Sequence, residues 1–149
     1  MAKLELHPDF KDFLELLNSN HVEYLVVGGY AVGYHGYPRT TGDLDVWIGV
    51  SEENAEKIAK TLVEFGMPAY EISAELFMEK DRIMTMGMPP VQIEIVTGIP
   101  GVDFDECYAR KVVGKFGELV MNFIGLNDLK AYKKAIGKEK DVEDLENLP

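Results

Sequence analysis

The hydrophobic positions of the chain follow two periods, one typical of helices and one typical of strands. Helical spacing, or a cap followed by a stop signal, predicts helices over 8–19, 29–37, 52–65, 73–80, 103–110, 127–136 and 139–147. Apolar runs rich in β-branched and aromatic residues predict strands over 22–27, 44–50, 82–87, 91–96, 111–116 and 118–124. The last four strands form two predicted hairpins. The pattern therefore predicts a mixed β-sheet flanked by helices, in the α+β (or α/β-like) class.

Residues that favour helix starts or ends mark the limits of several of these helices. Pro8 suits the first turn of the first helix, because its ring fixes a helical φ and its missing N–H has no partner there. Ser51 is a good N-cap for the third helix, and Gly66 ends it. Asn127 is expected to cap the helix that Gly137 ends.

Length and composition limit the number of domains and the class of protein. The chain has 149 residues, of which 46% are hydrophobic and 28% charged, so a single soluble domain over 1–149 is expected. No apolar run reaches the roughly 20 residues that cross a bilayer, and the N-terminal MAKLELHPDF has no apolar signal core. The single cysteine, Cys107, excludes an internal disulfide. We therefore expect a cytoplasmic protein without a membrane partner.

The charge is negative overall but unevenly placed. A net charge of −11 argues against broad binding to nucleic acid, which depends on clustered lysine and arginine. Residues 108–140, however, carry eight basic and three acidic side chains, a local charge of +5. This basic third of the chain could face an anionic substrate, and a solvated helix face explains it equally well.

Two acids stand at the head of the second strand. Asp43 and Asp45 are two residues apart, so both side chains project from one face, while Leu44 and Val46 point into the core. Glu94 stands inside the apolar run 91–96, where an acid calls for an explanation. Three carboxylates on one sheet can hold Mg²⁺ or Mn²⁺, which prefer oxygen ligands and leave room for phosphate. The alternative is that all three are ordinary turn and edge residues.

The first strand ends in a glycine pair that suits phosphate binding. Gly28 and Gly29 let the backbone approach a phosphate closely at a helix start, although a glycine pair also serves in a plain tight turn. Arg39 can bind phosphate with its planar fork, and the Thr41 hydroxyl can donate to phosphate or orient Asp43. A salt bridge to a nearby acid is the other interpretation of Arg39.

Basic residues near the C-terminus complete the candidate site. Lys133 and Lys140 could turn toward the acids and stabilise charge on a leaving pyrophosphate, or could be ordinary solvated lysines. His35 is more simply explained by packing between Tyr34 and Tyr37 than by catalysis. Several aromatics could stack on a nucleobase, with core packing as the simpler interpretation: Tyr30, Tyr34, Tyr37 and Trp47.

These motifs resemble the nucleotidyltransferase superfamily. The segment VVGGYAVGYHGYPRTTGDLDVWI is similar to its Gly-Gly turn followed by an Asp-x-Asp strand, and LNDLKAYKKAIGKEKDVEDLENL to the closing helix pair of the small enzymes related to abortive-infection toxins. In that helix pair the matching positions are Lys133, Lys138, Lys140, Asp141 and Asp144. The resemblance covers about 22–50 and 124–148. Two positions depart from it: Glu94 stands where many members have Asp, and Lys138 where Arg is common.

The resemblance implies a nucleotidyltransferase fold and a metal-dependent transfer of a nucleoside monophosphate from a nucleoside triphosphate to a hydroxyl. It implies Asp43, Asp45 and Glu94 as metal ligands and catalytic residues, with Gly28, Gly29, Arg39, Thr41, Lys133 and Lys140 at the nucleotide. The acceptor stays open among tRNA, a protein and a small molecule. The alternatives are an idle nucleotide-binding sensor, one component of a toxin–antitoxin pair with a cognate partner, or a purely structural domain.

Overall fold

Six strands form one mixed sheet: β1 (Tyr24–Val27), β2 (Asp43–Ile48), β3 (Ile83–Met88), β4 (Val91–Val96), β5 (Val112–Phe116) and β6 (Leu119–Phe123). Their order across the sheet is β3-β4-β2-β1-β6-β5. The pairs β2–β4 and β1–β6 are parallel, and the other neighbours are antiparallel. This computed structural model describes residues 6–149, and the first five residues of the N-terminal stretch lie outside it.

Six α-helices surround the sheet: α1 (Pro8–Ser19), α2 (Gly29–Tyr34), α3 (Glu52–Phe65), α4 (Phe104–Ala109), α5 (Leu126–Ile136) and α6 (Glu139–Asn147). Several begin and end where the sequence signals predict. The Ser51 hydroxyl accepts a hydrogen bond from the Asn54 N–H at the start of α3, and Gly66 ends that helix with a φ of 119°. Gly137 ends α5 in the same left-handed way.

Two expectations about helices are wrong. Residues 73–80 do not form one α-helix; they contain a short 3-10 turn at Ala74–Phe77, and another 3-10 turn precedes them at Ala69–Glu71. Phe77 is the single buried side chain in these turns, so no apolar stripe supports a longer helix. The N-cap of α5 is Gly125, two residues before the predicted Asn127, and the helix begins at Leu126.

The core fills the spaces beside the sheet with the side chains that the apolar pattern marks. Leu44 and Val46 of β2 are fully buried, together with Ile58 and Leu62 of α3 and Phe13 of α1. The neighbours of Leu44 on the opposite face of β2 are only half-buried. Burial of Leu44 and Val46 on one face of β2 therefore fixes the acids on its other face. Over residues 6–149, no helix combines the length and the apolar character that a membrane crossing requires.

Candidate active site

The register of the sheet brings the three predicted acids onto one face. Asp45 of β2 lies directly beside Glu94 of the parallel strand β4, and Asp43 lies beside Gln92 in the same register. On the other side of β2, Val27, the residue before the glycine pair, lies opposite Asp45. On the far side of β4, Glu94 lies opposite Thr85 of β3. Asp45 thus stands in the middle of this row, between the glycine turn and Glu94.

The acids crowd one another electrostatically. Burial, the hydrogen bond and negative charge of Glu94, and the charge of Asp43 together raise the pKa of Asp45 from 3.8 to about 7, with burial the largest cause. The positive charge of Lys133 opposes this shift. At about pH 7, the Asp45 carboxyl is therefore protonated in part of the molecules. A cation bound between these carboxylates would relieve their repulsion.

The donor chemistry of the acids fits a Mg²⁺ or Mn²⁺ ion, since both ions prefer carboxylate oxygens. Asp45 is a partly buried carboxyl directly beside a second acid, Glu94, and a bound positive charge is favourable in such a place. Among residues 6–149, however, no group of three or more His, Cys, Asp or Glu side chains is arranged to hold a metal ion as it stands. The acids are therefore neighbours without forming a preassembled metal site.

The glycine pair packs against the acids and the loop before β2. Gly28 has φ 74° and ψ −151°, a backbone region that is open almost only to glycine. A Cβ atom at Gly28 would lie 2.1 Å from Oδ2 of Asp45, and one at Gly29 would lie 2.3 Å from Oγ1 of Thr41. The turn can come this close to both side chains only because both positions are glycine.

A cavity of about 280 Å³ opens beside this turn. Its walls come from the glycine turn, the 39–45 segment and the helices α5 and α6: Gly28, Gly29, Arg39, Thr41, Gly42, Asp43, Asp45, Tyr132, Lys133, Ile136, Lys138, Lys140 and Asp141. Eight of the nine predicted site residues thus line one cavity. The ninth, Glu94, is not a wall residue and reaches the site through its neighbour Asp45.

Two of the predicted basic residues are held by acids of α6. Nε and Nη2 of Arg39 donate to the two carboxylate oxygens of Asp144, at 2.7 and 2.9 Å. Nζ of Lys133 lies 3.0 Å from Oδ1 of Asp141 and 3.1 Å from Oδ2 of Asp144. Arg39 therefore forms a salt bridge, but its partner lies 105 residues away in sequence and is not the local acid that the alternative interpretation expected. Lys133 is buried, so it is not an ordinary solvated lysine.

The remaining predicted contacts lie at the rim. Thr41 is half-buried, and its hydroxyl lies 3.4 Å from the backbone oxygen of Asp43. Lys140 and Lys138 are exposed and stand on the wall formed by the start of α6. Lys140 therefore faces the cavity without turning inward as Lys133 does.

The aromatic residue at the cavity is Tyr132, which the sequence interpretation did not select. Burial raises the pKa of its hydroxyl to about 12, and the negative charges of Asp45, Asp141 and Glu94 act in the same direction. It precedes Lys133 and follows Leu129 at helical spacing, a signal that could have placed it on the inner face of α5. The four aromatics considered from sequence belong to the packing instead: Tyr30, Tyr34, Tyr37 and Trp47.

His35 and Cys107 have structural surroundings. Nε2 of His35 lies 2.6 Å from the backbone oxygen of Ile124, away from the acids. Cys107 is buried in α4, and burial raises the pKa of its thiol to about 12, so the thiolate nucleophile is suppressed. Neither residue takes part in the candidate site.

Two solved structures share this fold. A candidate nucleotidyltransferase from Thermotoga maritima superposes with a TM-score of 0.58 at 15% identity, over 91% of this chain and 87% of that one. An antigenic nucleotidyltransferase-like protein from Paracoccidioides brasiliensis superposes with a TM-score of 0.56 at 15% identity, over 92% and 72%. At this identity the likeness shows a nucleotidyltransferase-like α+β fold. No family model matches the sequence, and no curated protein matches it.

Proposed function

We propose that the protein is a metal-dependent nucleotidyltransferase, which moves a nucleoside monophosphate from a nucleoside triphosphate to an acceptor hydroxyl. The observation that carries this proposal is that one cavity is lined by a glycine turn, by the buried or half-buried cations Arg39 and Lys133, and by the acids Asp43 and Asp45. A triphosphate needs the first two groups, and transfer of its α-phosphorus needs the third. The shared fold with two proteins named for this activity supports the same conclusion.

The glycine turn and its neighbours would bind the triphosphate. Because Gly28 and Gly29 lack a Cβ, a phosphate can approach their backbone closely. Nη1 of Arg39 would lie 3.4 Å from a Cβ at Gly29, so this nitrogen stands beside the turn. Thr41 borders the same glycine with its hydroxyl. Lys133, at the base of the cavity, supplies positive charge toward the leaving pyrophosphate.

The acids would act at the other end of the site. Asp43, Asp45 and Glu94 would hold Mg²⁺ or Mn²⁺, which when bound supplies positive charge to the phosphate oxygens and the attacking hydroxyl. Glu94 would accept the proton of the acceptor hydroxyl, because it lies on the side of Asp45 away from the glycine turn. The acceptor would therefore enter from the β4 side of the row, where Thr85 of β3 lies next to Glu94 across the sheet.

Incubation with each labelled nucleoside triphosphate, Mg²⁺ or Mn²⁺, total RNA, cell protein and small-molecule acceptors tests the proposal. Label transfer by the wild type should be abolished in Asp43→Asn and Asp45→Asn, with melting temperatures showing that both variants fold. Full activity in either variant would place the chemistry elsewhere. Asp103→Asn is a matched control, since Asp103 caps α4 away from the cavity.

The second candidate is a catalytically idle nucleotide sensor, such as one component of a toxin–antitoxin pair. The observation that favours it is that the three acids are not arranged to hold a metal ion as they stand. Metal-dependent nucleotide binding in calorimetry without transfer to any acceptor would support this candidate. Transfer that depends on Asp45 would exclude it.

A further inference from the structure

We propose that Asp144 is the positioning residue of the phosphate-binding half of the site, holding Arg39 and Lys133 in the orientation that receives a triphosphate. This inference rests on the proposed function, because it assigns a task to those two cations. Asp144 is itself 1% exposed and belongs to α6, whereas Arg39 precedes β2 and Lys133 belongs to α5. One carboxylate thus joins three separate segments.

Asp144 fixes the orientation of the guanidinium of Arg39. The two-point contact uses Nε and Nη2, so it sets the plane of the group as well as its position. The third nitrogen, Nη1, donates to the backbone oxygen of Thr40 at 3.2 Å and stands beside Gly29. The edge of Arg39 that Asp144 does not use is therefore the edge that borders the glycine turn.

Asp144 also binds Lys133, which Asp141 holds from a second side. The side chain of Lys133 is 6% exposed, and lysines this deeply buried are almost always paired with acidic partners. Burial by itself would raise the pKa of Asp144, but hydrogen bonds from Arg39 and Lys133 outweigh burial and lower it. Asp144 therefore stays ionised and maintains both contacts.

Two explanations of Asp144 predict opposite results for nucleotide binding. If its charge acted on the nucleotide directly, a neutral residue would strengthen binding, because one negative charge near a triphosphate would be gone. If it acts by orienting cations, the neutral residue weakens binding, because Arg39 loses its fixed plane and Lys133 one partner. We expect Asp144→Asn to weaken nucleotide binding about tenfold to a hundredfold, as small misplacements of binding groups do.

The chain contains a matched control pair. Nε and Nη2 of Arg110 donate to the two oxygens of Asp128 at 3.0 and 2.9 Å, the same two-point geometry. Asp128 is also buried, with 9% exposure, and neither residue lines the cavity. Asp128→Asn therefore removes an ion pair of the same two-point geometry outside the cavity, although the Arg110 side chain, at 56% exposure, is more exposed than that of Arg39, at 14%.

The experiment is calorimetric titration of ATP, GTP, CTP and UTP, each with Mg²⁺, into the wild type and four variants. The variants are Asp144→Asn, Asp128→Asn, Arg39→Gln and the double variant Arg39→Gln with Asp144→Asn. We expect Asp144→Asn to weaken binding and Asp128→Asn to leave it within about twofold of the wild type. Since Asp144 acts largely through Arg39, its substitution should weaken binding much less in the Arg39→Gln background than in the wild type.

A second readout needs no nucleotide. The Nε–H signal of Arg39 in ¹⁵N spectra should report a rigid side chain in the wild type and a mobile one in Asp144→Asn. If Asp144→Asn does not fold, Arg39→Lys tests the same point, because it keeps the charge and loses the fork. We expect Arg39→Lys to bind nucleotide about tenfold more weakly.

The outcomes separate the two proposals. If the wild type binds a nucleoside triphosphate and Asp144→Asn or Arg39→Lys binds it equally well or more tightly, the positioning role is overturned. The proposed function is then unaffected. A mobile Arg39 in the wild type would also overturn it. If the wild type binds no nucleoside triphosphate, the proposed function fails, and the assignment of Asp144 falls with it even where Arg39 is rigid.

Discussion

Replacing Gly28 by alanine should damage both the stability of the fold and the candidate site. The backbone at Gly28 lies at φ 74° and ψ −151°, where an L-residue with a Cβ is strained. The new methyl group would also lie 2.1 Å from Oδ2 of Asp45 and 2.9 Å from Cγ of the same side chain. Either the turn or the Asp45 carboxylate must therefore move.

Two terms give the magnitude. Holding alanine in this backbone region costs about 1–3 kcal/mol. Rotating Asp45 out of its preferred conformation costs about 0.5–1.5 kcal/mol more. The free energy of unfolding should therefore fall by roughly 2–4 kcal/mol, which for a chain of this length lowers the melting temperature by roughly 4–16 °C.

Thermal unfolding followed by circular dichroism, with a chelator present, measures this change. Gly117→Ala is the control, because Gly117 also has a positive φ of 63° but nothing lies within 4 Å of a Cβ there. Its loss should be about 1–2 kcal/mol, the usual left-handed penalty. If Gly28→Ala melts no lower than Gly117→Ala, the contact with Asp45 does not constrain the turn and the reasoning is refuted. Gly28→Ala should also lose label transfer, which Gly117→Ala keeps.

Three further predictions concern the acids and the strand that carries them. In chelator, the pKa of Asp45 is about 7 when folded and near 3.8 when unfolded, so the folded state holds an extra proton between these values. The contribution of Asp45 to the free energy of unfolding therefore falls as pH rises from about 4 to 7. Asp45→Asn should flatten the plot of melting temperature against pH over this range, and an unchanged slope would contradict the raised pKa of Asp45. Adding Mg²⁺ at pH 8 should stabilise the wild type by about 2.7 kcal/mol at a hundredfold excess over its Kd, and its melting temperature should rise accordingly. The melting temperature of Asp43→Asn should not rise, and equal stabilisation of both proteins would place the metal elsewhere. Leu44→Ala should cost about 2–5 kcal/mol in urea unfolding, because Leu44 is fully buried between the two acids, and a smaller loss would mean that the core refills the space.

The sequence pattern predicted most elements because local chemistry defines them. The 52–65 helix has a cap, a stop and an apolar stripe in its own residues, and α3 spans Glu52–Phe65. The 73–80 helix failed because its interpretation relied on local spacing where a single buried side chain, Phe77, anchors the segment. The prediction of Asn127 as a cap was wrong because the N-cap lies two residues earlier, at Gly125, and helix boundaries are uncertain by one or two residues.

For the candidate site, the sequence by itself determined which side chains share a face. Asp43 and Asp45 point the same way because a strand has a period of two, and Gly28 with Gly29 marks a close approach because only glycine permits it. Contacts between segments that are far apart in the chain depend on how those segments pack together, so only the tertiary structure decides them. The parallel pairing of β2 with β4 set Glu94 beside Asp45, the packing of α5 brought Tyr132 to the cavity, and the docking of α6 gave Arg39 its partner Asp144. Residue type carries the chemistry of a group, but the folded chain determines the charge and the neighbour that each group meets.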